Sequence, residues 1–278
     1  NQSHAGAFGS NVEDRQAAQE LGKLGWRYFM STITLDVAPS DHIAQLRLSA
    51  EAENEPKEFR WTKEAYYKLH ELGFFNGKPV ELIDGIVVNR EEGVNYRWTR
   101  SECYKLLDFG FFDDRKVELI DGRIIDMSPI YSPHATAVTL TGEALRAAFG
   151  REYHVREQGP IDVNEDDDPL PDVAVIKGSI RDFKDHHPDD AALIVEISYT
   201  TLRYDRKKKG SLYARQGIQD YWIVNVKQRQ LEVYRVPVED SSAAFWYSYA
   251  DVQIFKEGDS VSPLAKPDAV IAVADLLP

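Results

Sequence analysis

Two carboxylates and a lysine stand where a purely structural role is hard to assign. Asp172 opens the apolar run Val173-Ala174-Val175-Ile176. Glu196 lies inside Ala192-Leu193-Ile194-Val195-Glu196-Ile197, a β-branched stretch that reads as a strand buried on both faces. An ionised carboxylate in such a place is costly without a partner. Two carboxylates at neighbouring strand ends repel each other unless a cation holds them together, the arrangement of an oxygen-liganded Mg²⁺ or Mn²⁺. Such an ion activates water and neutralises charge building on a phosphate, so the chemistry this set would serve is metal-assisted phosphodiester cleavage. Ile197 adds a backbone carbonyl as a further oxygen. On the helix that follows, Leu202, Arg206, Lys209, Leu212 and Tyr213 share one side at helical spacing. Lys209 therefore leans inward, where it would orient water or stabilise the phosphate, while Lys207 projects to solvent.

Each of these residues also has a structural reading. Asp172 fits the turn before a strand, and Glu196 fits a buried ion pair. Arg206-Lys207-Lys208-Lys209 fits a solvated helix face, since lysine stems snorkel readily. His134 fits a hydrogen bonder at a helix start, and Glu118 sits in a strand whose alternation lets it face either way. Asp185-His186-His187-Pro188-Asp189-Asp190 has no standard metal-ligand spacing and reads as a loop.

The elements that must position these groups begin with a repeat. Residues 60–90 and 97–127 match at a constant offset: Arg60-Trp61-Thr62 with Arg97-Trp98-Thr99, Gly73-Phe74-Phe75 with Gly110-Phe111-Phe112, and Val80 to Gly85 with Val117 to Gly122. Each unit reads as a Thr-capped helix, a turn, and a strand ending in Asp-Gly. Two copies are too few for a solenoid, so a partial tandem duplication is expected, with the second copy as the working one. Next, Ser132 is expected to cap a helix with Pro133 in its first turn, running to Phe149 and carrying His134 on its apolar stripe. Strands are expected near 153–157, 172–177 and 192–198, then a helix over 202–215, then strands from Tyr221 to Val226 and Gln230 to Val236. The tail from Phe245 reads as one or two short strands and a terminal helix from Val273 to Leu277. Asn164 to Asp168 reads as a solvated turn. Ahead of all this, Asn11 to Phe29 reads as a short helix, and Met30 as a possible start. The pattern predicts an α/β (α+β) fold, a mixed β-sheet flanked by helices.

A length of 278 residues allows one large or two average domains. The balance of 33 Lys+Arg against 46 Asp+Glu, net −13, excludes a constitutive nucleic-acid coat protein but leaves room for an enzyme with a local basic patch. Cys103 stands alone, so neither an intramolecular disulfide nor a cysteine zinc site is expected, which fits a reducing cytoplasm. No apolar run approaches the ~18 residues of a membrane span.

As an ordered set, several motifs resemble the Uma-type family of putative restriction endonucleases, within the PD-(D/E)XK nuclease-like superfamily. They are Val117-Glu118-Leu119-Ile120-Asp121-Gly122, Ser132-Pro133-His134, Leu170-Pro171-Asp172-Val173, Leu193-Ile194-Val195-Glu196-Ile197-Ser198, Tyr204-Asp205-Arg206 with Lys209, and Tyr221-Trp222-Ile223-Val224. The resemblance runs from about residue 97 to the end. It implies a restriction-endonuclease-like mixed sheet and Mg²⁺-dependent (or Mn²⁺-dependent) cleavage of DNA. It implies Asp172 and Glu196 as the metal carboxylates, to which the Ile197 carbonyl noted above would add. Ser198 occupies the place where the superfamily motif has lysine, and Lys209 on the next helix stands in for it. His134 and Glu118 are further motif positions. Arg203, Arg206 and Lys207 would hold the nucleic-acid backbone. The expected organisation is an N-terminal extension (1–59), the duplicated helix-strand unit (60–96) and the endonuclease-like domain (97–278), with a homodimer suited to cutting two strands. The alternatives are a catalytically inactive nuclease fold that binds nucleic acid or a partner, and an accessory protein acting through the duplicated segment.

Overall fold

The computed structural model describes residues 55–113, 115–127 and 129–278, so the expected helix at Asn11 to Phe29 lies outside the described residues. The two repeats fold as a pair. β1 (Lys57–Glu58) leads into α1 (Lys63–Glu71) and the hairpin β2 (Val80–Ile83) and β3 (Ile86–Asn89). β4 (Val94–Asn95) leads into α2 (Arg100–Asp108) and the hairpin β5 (Val117–Ile120) and β6 (Arg123–Asp126). Thr62 and Thr99 cap the helices by accepting from the Ala65 and Glu102 backbone N–H groups. Both hairpins turn on Asp-Gly with positive φ at both residues, 47° and 76° in Asp84-Gly85, 52° and 69° in Asp121-Gly122. That is the turn whose twist matches the strands it joins.

The lead strands are exchanged between the copies. Lys57 and Glu58 pair with Asp126 and Ile125 of the second hairpin, while Val94 and Asn95 pair with Asn89 and Val88 of the first. The aromatic core repeats the same exchange. Phe59 meets Phe112 at 5.2 Å and 84°, and its counterpart Tyr96 meets Phe75 at 5.3 Å and 80°. Trp61 and Trp98 face each other at 5.2 Å. The two copies are thus related by a pseudo-twofold, and neither covers its aromatic face without the other.

The main sheet has six strands: β7 (Tyr153–Glu157), β8 (Val173–Lys177), β9 (Leu193–Ser198), β10 (Asp220–Asn225), β11 (Gln230–Glu239) and β12 (Tyr247–Lys256), with spatial order β12-β11-β10-β9-β8-β7. Only β9 and β10 run parallel, so the sheet is mixed. The alternation of strand residues divides its faces. Val173, Val175, Leu193, Val195, Ile197 and Trp222 pack with Ala137, Val138, Leu145 and Phe149 of α3 (Ser132–Phe149). Ala174, Ile194, Tyr221 and Ile223 pack on the other face with Tyr213 and Ala214. These last two belong to α4, a continuous helix formed by Leu202–Tyr204, Asp205–Lys209 and Gly210–Arg215. The β5–β6 hairpin covers the outside of α4, with Ile120 and Ile125 against Tyr204 and Leu212. The expected mixed sheet with flanking helices is the fold observed.

Three local expectations are corrected. Tyr131, not Ser132, occupies the cap position of α3, without a side-chain cap bond; Ser132 lies within the first turn. The tail holds the ten-residue β12 in addition to the short strands β13 (Ser260–Val261) and β14 (Ile271–Ala272). β12 is an edge strand with Val252 and Ile254 exposed, which blurs the alternation that marks a half-buried strand. Asn164 to Asp168 is not wholly solvated: Asp167 is fully buried, ion-paired to Arg215 and bonded by the Asp121 N–H at 2.7 Å. Among the described residues no helix is long and apolar enough to cross a membrane.

Candidate active site

Val173 pairs with Val195, so Asp172 and Glu196 fall opposite each other one step beyond, where β8 begins and β9 approaches its end. The Asp172 backbone N–H donates to Glu196 Oε2 at 3.3 Å, and the Ile197 N–H donates to Asp172 Oδ2 at 2.8 Å. The N–H and C=O of one residue leave a strand on the same edge, so the Ile197 carbonyl also lies on the Asp172 side of β9. His134 enters from the first turn of α3, its Nε2 3.1 Å from Asp172 Oδ2.

Lys209 comes from α4 on the opposite face. Its Nζ is 3.0 Å from Glu196 Oε1 and 3.2 Å from Glu118 Oε2, and only 4% of the residue is exposed. A π turn sets this aim: the Gly210 N–H bonds back to the Asp205 carbonyl, five residues earlier. Such a turn places one extra residue in the helix and is frequent at functional sites. It also separates two residues expected on one side. Arg206 is directed to Glu232 of β11 in a bidentate pair, at 2.7 and 2.6 Å, while Lys209 turns into the cleft. Arg206 is therefore committed to the fold and not free for a phosphate. Arg203 faces Glu55 at 3.4 Å, and Lys207 is exposed.

Glu118 resolves its ambiguity by alternation: Val117 and Leu119 face the aromatic core, while Glu118 and Ile120 face α4. Tyr204 donates to Glu118 Oε1 at 3.4 Å, and Tyr213 donates to Glu196 Oε1 at 2.7 Å. Asp205, not among the residues singled out from the sequence, is buried in the same cluster and accepts from the Thr201 hydroxyl at 2.7 Å. Its sequence signal is the spacing to Lys209, four residues along one helix.

These groups share a cleft of about 80 Å³. Burial works to raise the Asp172 carboxyl, but the His134 bond, the His134 and Lys209 charges and the Ile197 N–H hold it below its ordinary value. Burial pushes Glu196 well up, against the pull of Lys209. Burial likewise pushes Asp205 up to about 6. Burial would deprotonate Lys209, but Glu118, Glu196, Asp205 and Asp172 together keep its ammonium well above the ordinary range. Burial also lowers His134, and Asp172 more than restores it. Lys209 is thus a fixed donor of charge and hydrogen bonds rather than a proton acceptor.

Four carboxylates, Glu118, Asp172, Glu196 and Asp205, face one ammonium and one imidazole in this interior. A surplus of buried negative charge with hard oxygen donors fits a divalent cation of the Mg²⁺ or Mn²⁺ type. Among the described residues no three His, Cys, Asp or Glu side chains converge as a ready cage. Mg²⁺ commonly takes one or two carboxylates and fills its shell with water, which the Asp172, Glu196 and Ile197 set can supply. His134 Nδ1 is buried without a hydrogen-bond partner, a polar atom left to water or a ligand, while the Ser198 hydroxyl lies against the Asp205 carboxylate. Asp185 to Asp190 lies outside the cleft lining.

No curated protein matches the chain in sequence. A crystal structure of a putative nuclease belonging to DUF820, from Anabaena variabilis, is similar over 58% of this chain and 88% of that one, at 17% identity and a TM-score of 0.44. The model of the Uma2 family, described as putative restriction endonuclease, matches residues 101–274. That span covers well over half of the sequence and holds every residue of the cleft named above, and the chain belongs to the Uma2 family.

Proposed function

We propose that the chain is a divalent-metal-dependent endonuclease that hydrolyses phosphodiester bonds in DNA. The observation that carries this reading is the buried opposition of Asp172 and Glu196 with the Lys209 ammonium 3.0 Å from Glu196. Asp172, Glu196 and the Ile197 carbonyl would hold Mg²⁺ or Mn²⁺. When bound, the ion supplies Lewis acidity and neutralises phosphate charge. Lys209, held protonated, stabilises the charge that develops on the phosphate and orients the attacking water. His134 positions Asp172, and the Tyr213 hydroxyl fixes the Glu196 carboxylate. Ser198 lies on the strand face of Glu196, two residues on, where its hydroxyl supports the Asp205 carboxylate.

The test is cleavage of supercoiled plasmid and of single-stranded DNA by purified protein with Mg²⁺, Mn²⁺ or EDTA, beside folded Asp172→Ala, Glu196→Ala and Lys209→Ala. Metal-dependent cleavage lost in all three supports the reading. Equal trace activity in wild type and variants refutes it for those substrates, and metal binding without cleavage identifies a nuclease fold that only binds.

A further inference from the structure

We infer that the cleft accepts a single nucleic-acid strand, one base of which stacks on Tyr131 at its mouth. The inference rests on the proposed function and narrows its substrate. The groups that would act on a phosphate are deep: Glu196 is 2% and Asp172 9% exposed. A phosphate reaches them only if its backbone bends into the cleft, which a flexible single strand does readily and a stiff duplex does at a cost.

The mouth is apolar and aromatic where a duplex binder would be basic. Ile130 and Tyr131, just before α3, line the cleft and are 46% and 49% exposed. Tyr199, also on the lining, stands 5.7 Å from Tyr131 at 52°, with Lys227 Nζ 5.1 Å from the centre of its ring. Lys116 adds a second cation at the rim, bonded to Gln158 at 3.1 Å. Aromatic faces beside a few cations are the pattern that holds single strands, because every base offers a π-face. Duplex affinity depends instead on many Lys and Arg neutralising successive phosphates. Here Arg206 is committed to Glu232, Arg203 pairs at the surface with Glu55, and the net charge is −13. One helix start also sets the distance between platform and chemistry. Tyr131 stands at the cap of α3, and His134, three residues later, meets Asp172.

Binding and cleavage are measured separately on the full chain. Fluorescence anisotropy in EDTA compares a labelled oligodeoxynucleotide, its RNA counterpart and the blunt duplex. Initial rates with Mn²⁺ follow on the same three probes. The wild type is expected to bind the single strand at least about tenfold more tightly than the duplex. Tyr131→Leu should lose about tenfold in affinity, Tyr131→Phe should restore it, and Tyr67→Leu, an exposed tyrosine outside the lining, should change nothing. In the rate assay the Tyr131→Leu loss should fall mainly in KM. The RNA probe decides which sugar the site accepts. Equal binding of strand and duplex, or Tyr131→Leu binding like wild type, overturns the inference even if metal-dependent cleavage is found. Strand binding that depends on the Tyr131 ring, with no cleavage by any metal, sustains it and refutes the nuclease reading.

Discussion

The Lys209 ammonium lies 3.2 Å from Glu118, a residue 91 positions earlier on a different sheet, and 3.0 Å from Glu196. One cation therefore ties the β5–β6 hairpin to the main sheet. Lys209→Ala would leave both carboxylates buried without it, at a cost of about 3–5 kcal/mol while they stay ionised. Protonation relieves that cost. Glu196, whose folded value burial raises, contributes stability below its unfolded value and loses it as pH rises. The variant should therefore be nearest to wild type in acid and furthest from it in mild alkali, by chemical denaturation. A missing preorganised donor should also cost about 10²–10³-fold in cleavage rate.

Asp205 supplies an independent pH effect. Its folded value near 6 stands above the ordinary 3.8, pushed there mainly by burial. The stability it contributes is complete below the unfolded value and is lost as pH rises through the folded one. Asp205→Asn removes that loss. The metal-free variant should match wild type near pH 4 and exceed it above pH 6, by about 1–3 kcal/mol. Denaturation in EDTA across this range is the check, and a variant less stable at every pH would refute the account.

Metal binding separates the two carboxylates of the proposed site. Glu196 is held toward its neutral form by burial, so Glu196→Gln should fold and retain most of the metal-free stability. Asp172 is stabilised as an anion by His134 and Ile197, so Asp172→Asn should lose more. Both variants should lose Mn²⁺ affinity by at least about tenfold in titration calorimetry, in line with removal of a ligand. An unchanged Mn²⁺ isotherm in both would place the ion elsewhere.

Much of this site is legible in the sequence because burial and charge conflict there. Glu196 interrupts a β-branched run that becomes a strand buried on both faces, and the Asp172 step is marked by the apolar run it opens. The inward aim of Lys209 follows the helical stripe, but the same stripe puts Arg206 beside it, and the π turn parts them. A π turn has no periodicity of its own to read. Asp205 is marked only by its spacing to Lys209, which a solvated helix face shows as often, and Asp167 leaves no local mark because its partner Arg215 lies 48 residues away. The repeat was plain in the residues, but the exchange of lead strands was not, because pairing partners of two-residue strands leave no pattern.

That exchange makes a prediction about stability. Glu58 and Asn95 are equivalent positions, 37 residues apart, and the Asn95 amide donates to the Glu58 carboxylate at 3.0 Å, so the two copies meet at matching residues. Trp61 and Trp98 are likewise equivalent, buried at 5% and 3% exposure, with matching edge contacts to Phe59 and Tyr96 at 4.9 Å. Truncating either to alanine empties the same kind of space, and each should cost about 3–5 kcal/mol. The two values should agree within about 1 kcal/mol. Because the rings touch, the double variant should lose less than the sum of the two single losses. Removing residues 55–93 altogether would strip the partner strand from β6 and bare Trp98, Phe111 and Phe112, so that chain should self-associate in size-exclusion chromatography. Additive Trp losses, or a truncated chain that stays monomeric and folds cooperatively, would show that the first copy is an appendage rather than half of a shared core.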